Sequence, residues 1–146
     1  MNPQTALPDW NAASTVLRAI LGVLFTMAGY WKVFVLTPQA HAQQFFIGWF
    51  ADSWIPHWLL WALGLSIPLL ELAVGLLLLL GWRLRETLLF LGGLLVLTTY
   101  GHALKEPLFN IDGHTFTRLA LIVFLLVVPT GADRWTLDRW LSRRRK

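Results

Sequence analysis

The chain contains no cysteine. This absence excludes disulfide bonds, thiol–disulfide exchange and thiolate metal ligands supplied by the chain itself. The sequence also lacks the short motifs of familiar catalytic and nucleotide sites, namely GxGxxG, the P-loop, HExxH and GxSxG. No nucleophile or cofactor site of these kinds is therefore predicted, and the function has to be sought in other features.

Charged residues are scarce too. They make up 14% of the 146 residues, whereas hydrophobic residues make up 56%, and soluble domains have about 25% charged residues. A soluble protein of this length has too little interior to bury so many apolar side chains, so lipid must be the solvent for part of the chain. The nine tryptophans agree, because Trp concentrates at membrane–water interfaces. We expect a single integral membrane domain over residues 1–146.

Basic residues are missing from the beginning of the chain and crowded at its end. No Lys or Arg precedes Arg18, and half of them follow Thr130. A net charge of +4 would suggest nucleic acid in a soluble protein, but here it favours a membrane surface, and no nucleic-acid partner is expected. The missing basic region also argues against a cleavable signal peptide. The basic tail, residues 131–146, either binds anionic lipid or acts only as a topology signal.

Four apolar segments are long enough to be membrane spans, which need about 20 residues each. They cover residues 14–36, 58–81, 84–104 and 113–130. The fourth is the weakest, because its fully apolar run is only 119–129. The pattern predicts an all-α fold, a four-helix transmembrane bundle lying in the lipid bilayer.

The connection between the first two spans reads QAHAQQFFIGWFADSW. It is too short and too polar to cross a membrane, and its aromatic residues favour an interfacial segment between helices 1 and 2. An aromatic-rich loop is the alternative. The aromatic residues are Phe45, Phe46, Trp49, Phe50 and Trp54.

The short loops carry their basic residues on one side of the predicted bundle, which places the N-terminus and the C-terminus in the cytoplasm. Only Lys105 lies in the opposite loops. That opposite, outer side receives all four histidines, and no HxH or HxxxH pair occurs among them, so no metal site is predicted. The histidines are His41, His57, His102 and His114.

Span one carries a polar and small-residue stripe at steps of three and four residues, which places it on one helical face. It consists of Arg18, Gly22, Phe25, Gly29 and Lys32. The glycines favour close packing of another helix, so this face should point into the bundle.

Glu71 lies near the middle of span two, three residues after Pro68. A charge at mid-bilayer costs at least about 2.5–3.5 kcal/mol, so Glu71 must be paired, protonated or turned toward a polar cavity. The helical rise puts Arg18 at about 6 Å, Glu71 at about 15 Å, Arg118 at about 22 Å and Lys32 at about 27 Å above the inner edge. Arg18 and Arg118 are therefore the expected partners of Glu71.

An outer layer of donors is predicted above Glu71, made of Lys32, Tyr100, His102 and Arg118. Such a layer suits an anionic or carbonyl-bearing ligand, for example a small oxyanion or a quinone head-group. We interpret Arg18, Lys32, Tyr100, His102 and Arg118 as ligand-binding residues and Glu71 as a proton acceptor. In the alternative, the buried charges serve only to lock the bundle.

Two stretches of the sequence carry a resemblance to a known family. They are VLRAILGVLFTMAGYWKVF and PLLELAVGLLLLLGWRLRETLL. With the two spans that follow, the sequence resembles the DoxX family of small four-span membrane proteins over about residues 16–129. The resemblance implies a location in a bacterial inner membrane. It also implies a link to redox systems, since related subunits belong to a thiosulfate:quinone oxidoreductase.

The leading hypothesis is a quinone-linked or anion-binding subunit of a membrane redox system, working with a partner redox subunit or as a homo-oligomer. Because the chain lacks cysteine, redox chemistry would need a bound quinone, a metal or a partner subunit, and enzymatic activity of the chain itself is left open. One alternative is an assembly subunit that docks a partner through Trp49, Phe50 and Phe109. The other is a small transporter.

Overall fold

The computed structural model describes residues 10–106, 115–128 and 133–144, and these residues contain helices and no strand. The all-α prediction is confirmed. In chain order the helices are α1 (Trp10–Tyr30, continued by a π-helical turn Trp31–Val35), α2 (Pro38–His41, continued by a π-helical turn Ala42–Ile47), α3 (His57–Leu80), α4 (Leu84–Lys105), α5 (Thr117–Val127) and α6 (Leu137–Arg144).

Four helices form the bundle. Helix α1 packs against α3 and α5, and α4 also packs against α3 and α5, so each helix touches two neighbours. The segment of α2 and its π-helical turn packs on α3. The core between the helices is aliphatic and includes Leu21, Ile67, Leu78, Leu91 and Ile122. Polar and small residues lie in the same interior, as expected when the outside of the bundle faces lipid.

Three helices are long and apolar enough to cross a membrane: Trp10–Val35, His57–Leu80 and Leu84–Lys105. They match the first three predicted spans to within a few residues. Helix α5 has 11 residues and rises about 16 Å, roughly half of a 30 Å hydrocarbon core. Both ends of the predicted fourth span fall outside the described residues.

The chain nevertheless returns to the end of the bundle where α1 begins. Ahead of α5, Thr115 shares a hydrogen bond of 3.0 Å with Thr99 near the end of α4. After α5, Asp133 binds Arg18 in the first half of α1. We call the end that holds the start of α1, the α3–α4 turn and α6 the terminal end.

Glycines let α1 and α3 approach almost backbone to backbone. A Cβ added at Gly29 would overlap the backbone of Leu72, and one added at Gly75 would overlap the backbone of Thr26. At Gly22 the added atom would lie 2.8 Å from the side chain of Leu79. The predicted small-residue face of span one therefore does face another helix, which is α3.

Replacing Gly75 by Ala should destabilise the protein by about 1–3 kcal/mol, because the new methyl group overlaps a backbone that cannot give way. The matched control is Gly92→Ala, since a Cβ at Gly92 meets no atom within 4 Å and Ala is the better helix former. Thermal unfolding in one detergent measures both. Equal melting temperatures for the two variants would contradict the close α1–α3 contact.

Candidate functional site

Glu71 is paired with Lys32. The Lys32 Nζ lies 2.6 Å from Glu71 Oε2, in a pair whose side chains are 25% and 10% exposed. This corrects the expectation that Arg18 or Arg118 would neutralise Glu71. The ion pair offsets part of the cost of placing a carboxylate among apolar helices.

The expectation failed because the two helices have a different register from the one assumed. Gly22 faces Leu79 and Gly29 faces Leu72, so seven residues along α1 correspond to seven residues back along α3. Continued by three residues, this register puts Lys32 within about 3 Å of the level of Glu71. Aligning Ser14 with Gly81 had separated the two by about 12 Å.

Arg18 occupies a different site, at the terminal end. Its Nε donates to Asp133 Oδ2 at 2.8 Å, and Nη1 and Nη2 donate to the carbonyls of Leu78, Leu79 and Trp135 at 2.6–2.8 Å. Leu78 and Leu79 lie in the last turn of α3, where carbonyls lack the regular helical donor four residues on, although Leu78 O also accepts from the Gly81 N–H at 3.0 Å. A cation is favourable at such a helix C-terminus. We call Arg18, Asp133 and these three carbonyls the C-terminal clamp. Arg18 is thus distant from the site it was predicted to join.

Asp133→Asn should destabilise the protein by about 3–5 kcal/mol, because it leaves the buried Arg18 without its counter-charge. Exchange of backbone hydrogens in α6 should speed up as well, since the clamp ties the chain before α6 to the bundle. Glu86→Gln is the control: its pair with Arg83 is long, at 3.7 Å, and exposed, and such pairs contribute about 0–1 kcal/mol. Equal losses in the two variants would contradict this role of the clamp.

A cavity of about 670 Å³ lies at the end of the bundle opposite the terminal end. The predicted site residues Lys32, Glu71, Tyr100, His102 and Arg118 all line it. The remaining wall combines aliphatic side chains with seven aromatic ones, and we call this space the aromatic cavity. Its aromatic residues are Phe25, Trp31, Phe45, Phe46, Trp49, Phe50 and Trp54.

The predicted donors contribute to this cavity from different elements. Tyr100 is more than half exposed, whereas His102 packs edge-on against Trp49 at 5.9 Å between ring centroids. The Arg118 guanidinium lies 5.8 Å from the centre of the Phe25 ring. The structure therefore gathers five of the six predicted site residues and leaves out Arg18.

One wall of the cavity comes from the segment between α1 and α3. It is helical and packs on α3 through Ala42, which is fully buried and touches the position where Gly64 lacks a Cβ. Two π-helical turns, Trp31–Val35 and Ala42–Ile47, shape this region. Such wide turns are frequent at functional sites, and the first of them holds Lys32.

His41 completes this contact. Pro68 has no N–H, so the carbonyl of Gly64 four residues earlier has no helical donor. His41 Nδ1 lies 2.7 Å from that carbonyl oxygen and must donate to it, because a carbonyl only accepts. The histidine is buried between the rings of Phe45 and Phe46.

Burial lowers the pKa of His41 below its ordinary value of 6.5. The positive charge of Lys32 lowers this pKa further, while the hydrogen bond to Gly64 and the charge of Glu71 oppose the shift. At pH values just below 6.5, His41 is therefore neutral in the folded protein, whereas the unfolded chain binds a proton at this residue. Stability from this group is full above pH 6.5 and falls as the pH drops below it.

Acidification from about pH 7.5 to 5.5 should lower the melting temperature of the wild type, because the unfolded chain binds a proton at His41 more readily than the folded protein does. His41→Asn keeps an amide donor for Gly64 and removes the titration, so its melting temperature should depend less on pH. His57→Asn is the control, because His57 is exposed. An unchanged pH slope in His41→Asn would contradict the assignment.

No metal cluster of three His, Asp or Glu side chains occurs within the described ranges. His114 and the loop residue Phe109 lie outside them. Of the other predicted docking residues, Phe50 is buried, whereas Trp49 packs against His102 and is still 37% exposed.

Two important residues were missed from the sequence, His41 as a structural donor and Asp133 as the partner of Arg18. A signal for the first existed, because a proline inside a helix frees a carbonyl that needs a donor. The second gave no local signal, since 115 residues separate the two partners.

These features define a multi-pass helical membrane protein with a polar, aromatic-lined cavity between its helices. The family model of the methylamine utilisation protein MauE matches residues 10–105, which comprise α1 to α4. The chain belongs to the MauE family. Searches of curated proteins and of solved structures gave no match.

The resemblance to the DoxX family is therefore wrong, because the family that matches is MauE. The resemblance rested on glycines, basic residues and Phe25 at helical spacing in span one, and on Glu71, Gly75 and the basic turn after Gly81 in span two. Close helix packing and a paired buried charge impose such patterns on many membrane proteins, so they do not distinguish one family from another.

Proposed function

We propose that this protein is a membrane subunit of a methylamine utilisation system linked to redox chemistry, and that its aromatic cavity binds a ligand with a carbonyl or oxyanion group. The family description supports the first part. The second part rests on the Lys32–Glu71 pair, which lines the cavity.

Lys32 has hydrogen-bond donors that its pair with Glu71 does not use. An ammonium group has three N–H donors, and among the described residues Lys32 makes one hydrogen bond, to Glu71. With its side chain partly exposed to the cavity, Lys32 is placed to donate to an oxygen atom of a ligand. Charge-assisted hydrogen bonds of this kind are short and strong.

The cavity also has the shape and chemistry for an amphiphile. Drug-sized ligands occupy pockets of about 300–1,000 Å³ with mainly apolar walls and a few polar groups, and the aromatic cavity has about 670 Å³. Aromatic rings stack well on a flat conjugated head-group. A quinone head-group meets both requirements, and a small oxyanion meets only the polar one.

Glu71 is the proposed proton acceptor. Its carboxylate lines the cavity beside Lys32 Nζ, where it can accept a proton from a ligand that Lys32 holds. Electron transfer would belong to a partner subunit.

The orientation is also part of the proposal. Basic residues concentrate at the terminal end, where Arg83, Arg85, Arg139, Arg143 and Arg144 lie. The positive-inside rule then places this end in the cytoplasm of a plasma membrane, with the aromatic cavity toward the outer side.

Binding of a short-chain quinone analogue and of thiosulfate to the reconstituted protein tests the proposal. Lys32→Gln/Glu71→Gln removes both charges together and should weaken binding by about ten- to a hundredfold. Lys105→Gln is the control, because Lys105 does not line the cavity. The proposal fails if neither compound binds, or if the double variant binds as tightly as the wild type while melting normally.

A further inference from the structure

A second cavity, of about 710 Å³, lies at the terminal end between α4, α5 and α6. Its inner part is formed by Leu88, Leu125 and Leu126, and its outer part carries three arginines. We call this space the basic cleft, and its arginines are Arg85, Arg139 and Arg143. No residue of the aromatic cavity contributes to it.

The inner part of the cleft is apolar and lies along the helix axes. Leu88 follows the start of α4 by one turn, and Leu125 precedes the end of α5 by two residues. Leu88 and Leu125 are almost completely buried. The cleft therefore has a polar opening beside α6, and its apolar interior lies between the ends of α4 and α5.

The carboxylates that line the cleft are already engaged. Asp133 accepts hydrogen bonds from Arg18, Thr15 and the backbone of Trp135. Asp138 accepts from the backbone N–H groups of Arg83 and Leu84, at 2.9 Å and 3.1 Å. Their oxygens hold the C-terminal segment against the bundle, and neither carboxylate forms an ion pair with Arg85 or Arg143.

Glu86, the third carboxylate of the cleft, pairs with Arg83, which does not line it. Across residues 10–106, 115–128 and 133–144, Arg85 and Arg143 have no ion-pair partner. Both are exposed at the mouth of the cleft. Two guanidinium groups without an ion-pair partner among the described residues thus lie above an apolar interior.

We propose that the basic cleft binds an anionic phospholipid. The phosphate diester would accept hydrogen bonds from Arg85 and Arg143, whose planar guanidinium groups suit phosphate oxygens. An acyl chain would lie against Leu88, Leu125 and Leu126. Charge complementarity selects an anion, and the apolar interior selects one with a hydrocarbon tail over free phosphate.

Lipid bound in the basic cleft would also stabilise the terminal end of the bundle. The cleft joins α4 and α5 to α6, which the clamp residue Asp133 and the capping residue Asp138 already hold. A ligand that binds only the assembled cleft stabilises the folded state by mass action. This inference does not depend on the function proposed for the aromatic cavity.

Titration of phosphatidylglycerol into the full-length protein in uncharged detergent, followed by native mass spectrometry and thermal shift, tests the assignment. Arg85→Gln/Arg143→Gln should weaken binding by about twenty-five-fold, taking about fivefold for each arginine. Arg134→Gln/Arg144→Gln removes the same charge from residues outside the cleft and should stay close to wild type. Both variants alter exposed side chains, and melting without added lipid checks their folding.

Phosphatidylcholine, glycerophosphoglycerol and inorganic phosphate complete the test, and all three should bind much more weakly than phosphatidylglycerol. Equal losses in the two double variants would overturn the site, because general surface charge would then explain binding. Equal affinity for phosphatidylcholine would overturn the anionic assignment. Equal protection by inorganic phosphate or glycerophosphoglycerol would overturn the requirement for a lipid tail.

Discussion

The near backbone contact between α1 and α3 is the constraint on which the remaining structure depends. Gly29 against Leu72 and Gly75 against Thr26 fix how far one helix is displaced along the other. This displacement brings Lys32 level with Glu71, so a carboxylate that would be costly alone acquires a partner at 2.6 Å. A register shifted by one helical turn, about 5.4 Å, in the direction that increases their present offset would place the two residues about 8 Å apart along the helix axes.

A second consequence follows from Pro68. The proline frees the Gly64 carbonyl, and the missing side chain at Gly64 leaves room for the segment that carries His41. That segment supplies several of the aromatic residues that line the cavity together with Lys32 and Glu71. The proline in α3 is thereby connected to the shape of the cavity. The connection is the hydrogen bond from His41 to the Gly64 carbonyl, which would otherwise lack a donor within the membrane.

The sequence predicts the fold well where a repeating pattern carries the information. Long apolar runs located α1, α3 and α4, and the helical stripe identified the face of α1 that meets α3. Such patterns do not predict how two helices are aligned along each other, because this register depends on contacts between individual atoms, as at Gly22 and Leu79. For the same reason Lys32 was assigned to the right region of the bundle but not to Glu71. Asp133 lies in the chain after α5, and no local pattern connects it to Arg18.

The two cations of α1 and its π-helical turn, Arg18 and Lys32, illustrate how structure separates roles that sequence leaves open. Arg18 makes four hydrogen bonds, to Asp133 and three carbonyls, which leaves one of its five N–H groups. Lys32 makes one hydrogen bond in the described part of the chain and lines a cavity. A cation whose donors are nearly all used in joining chain segments contributes to stability. A cation with unused donors beside an aromatic space is poised for a ligand, and this difference favours binding at Lys32 and bracing at Arg18.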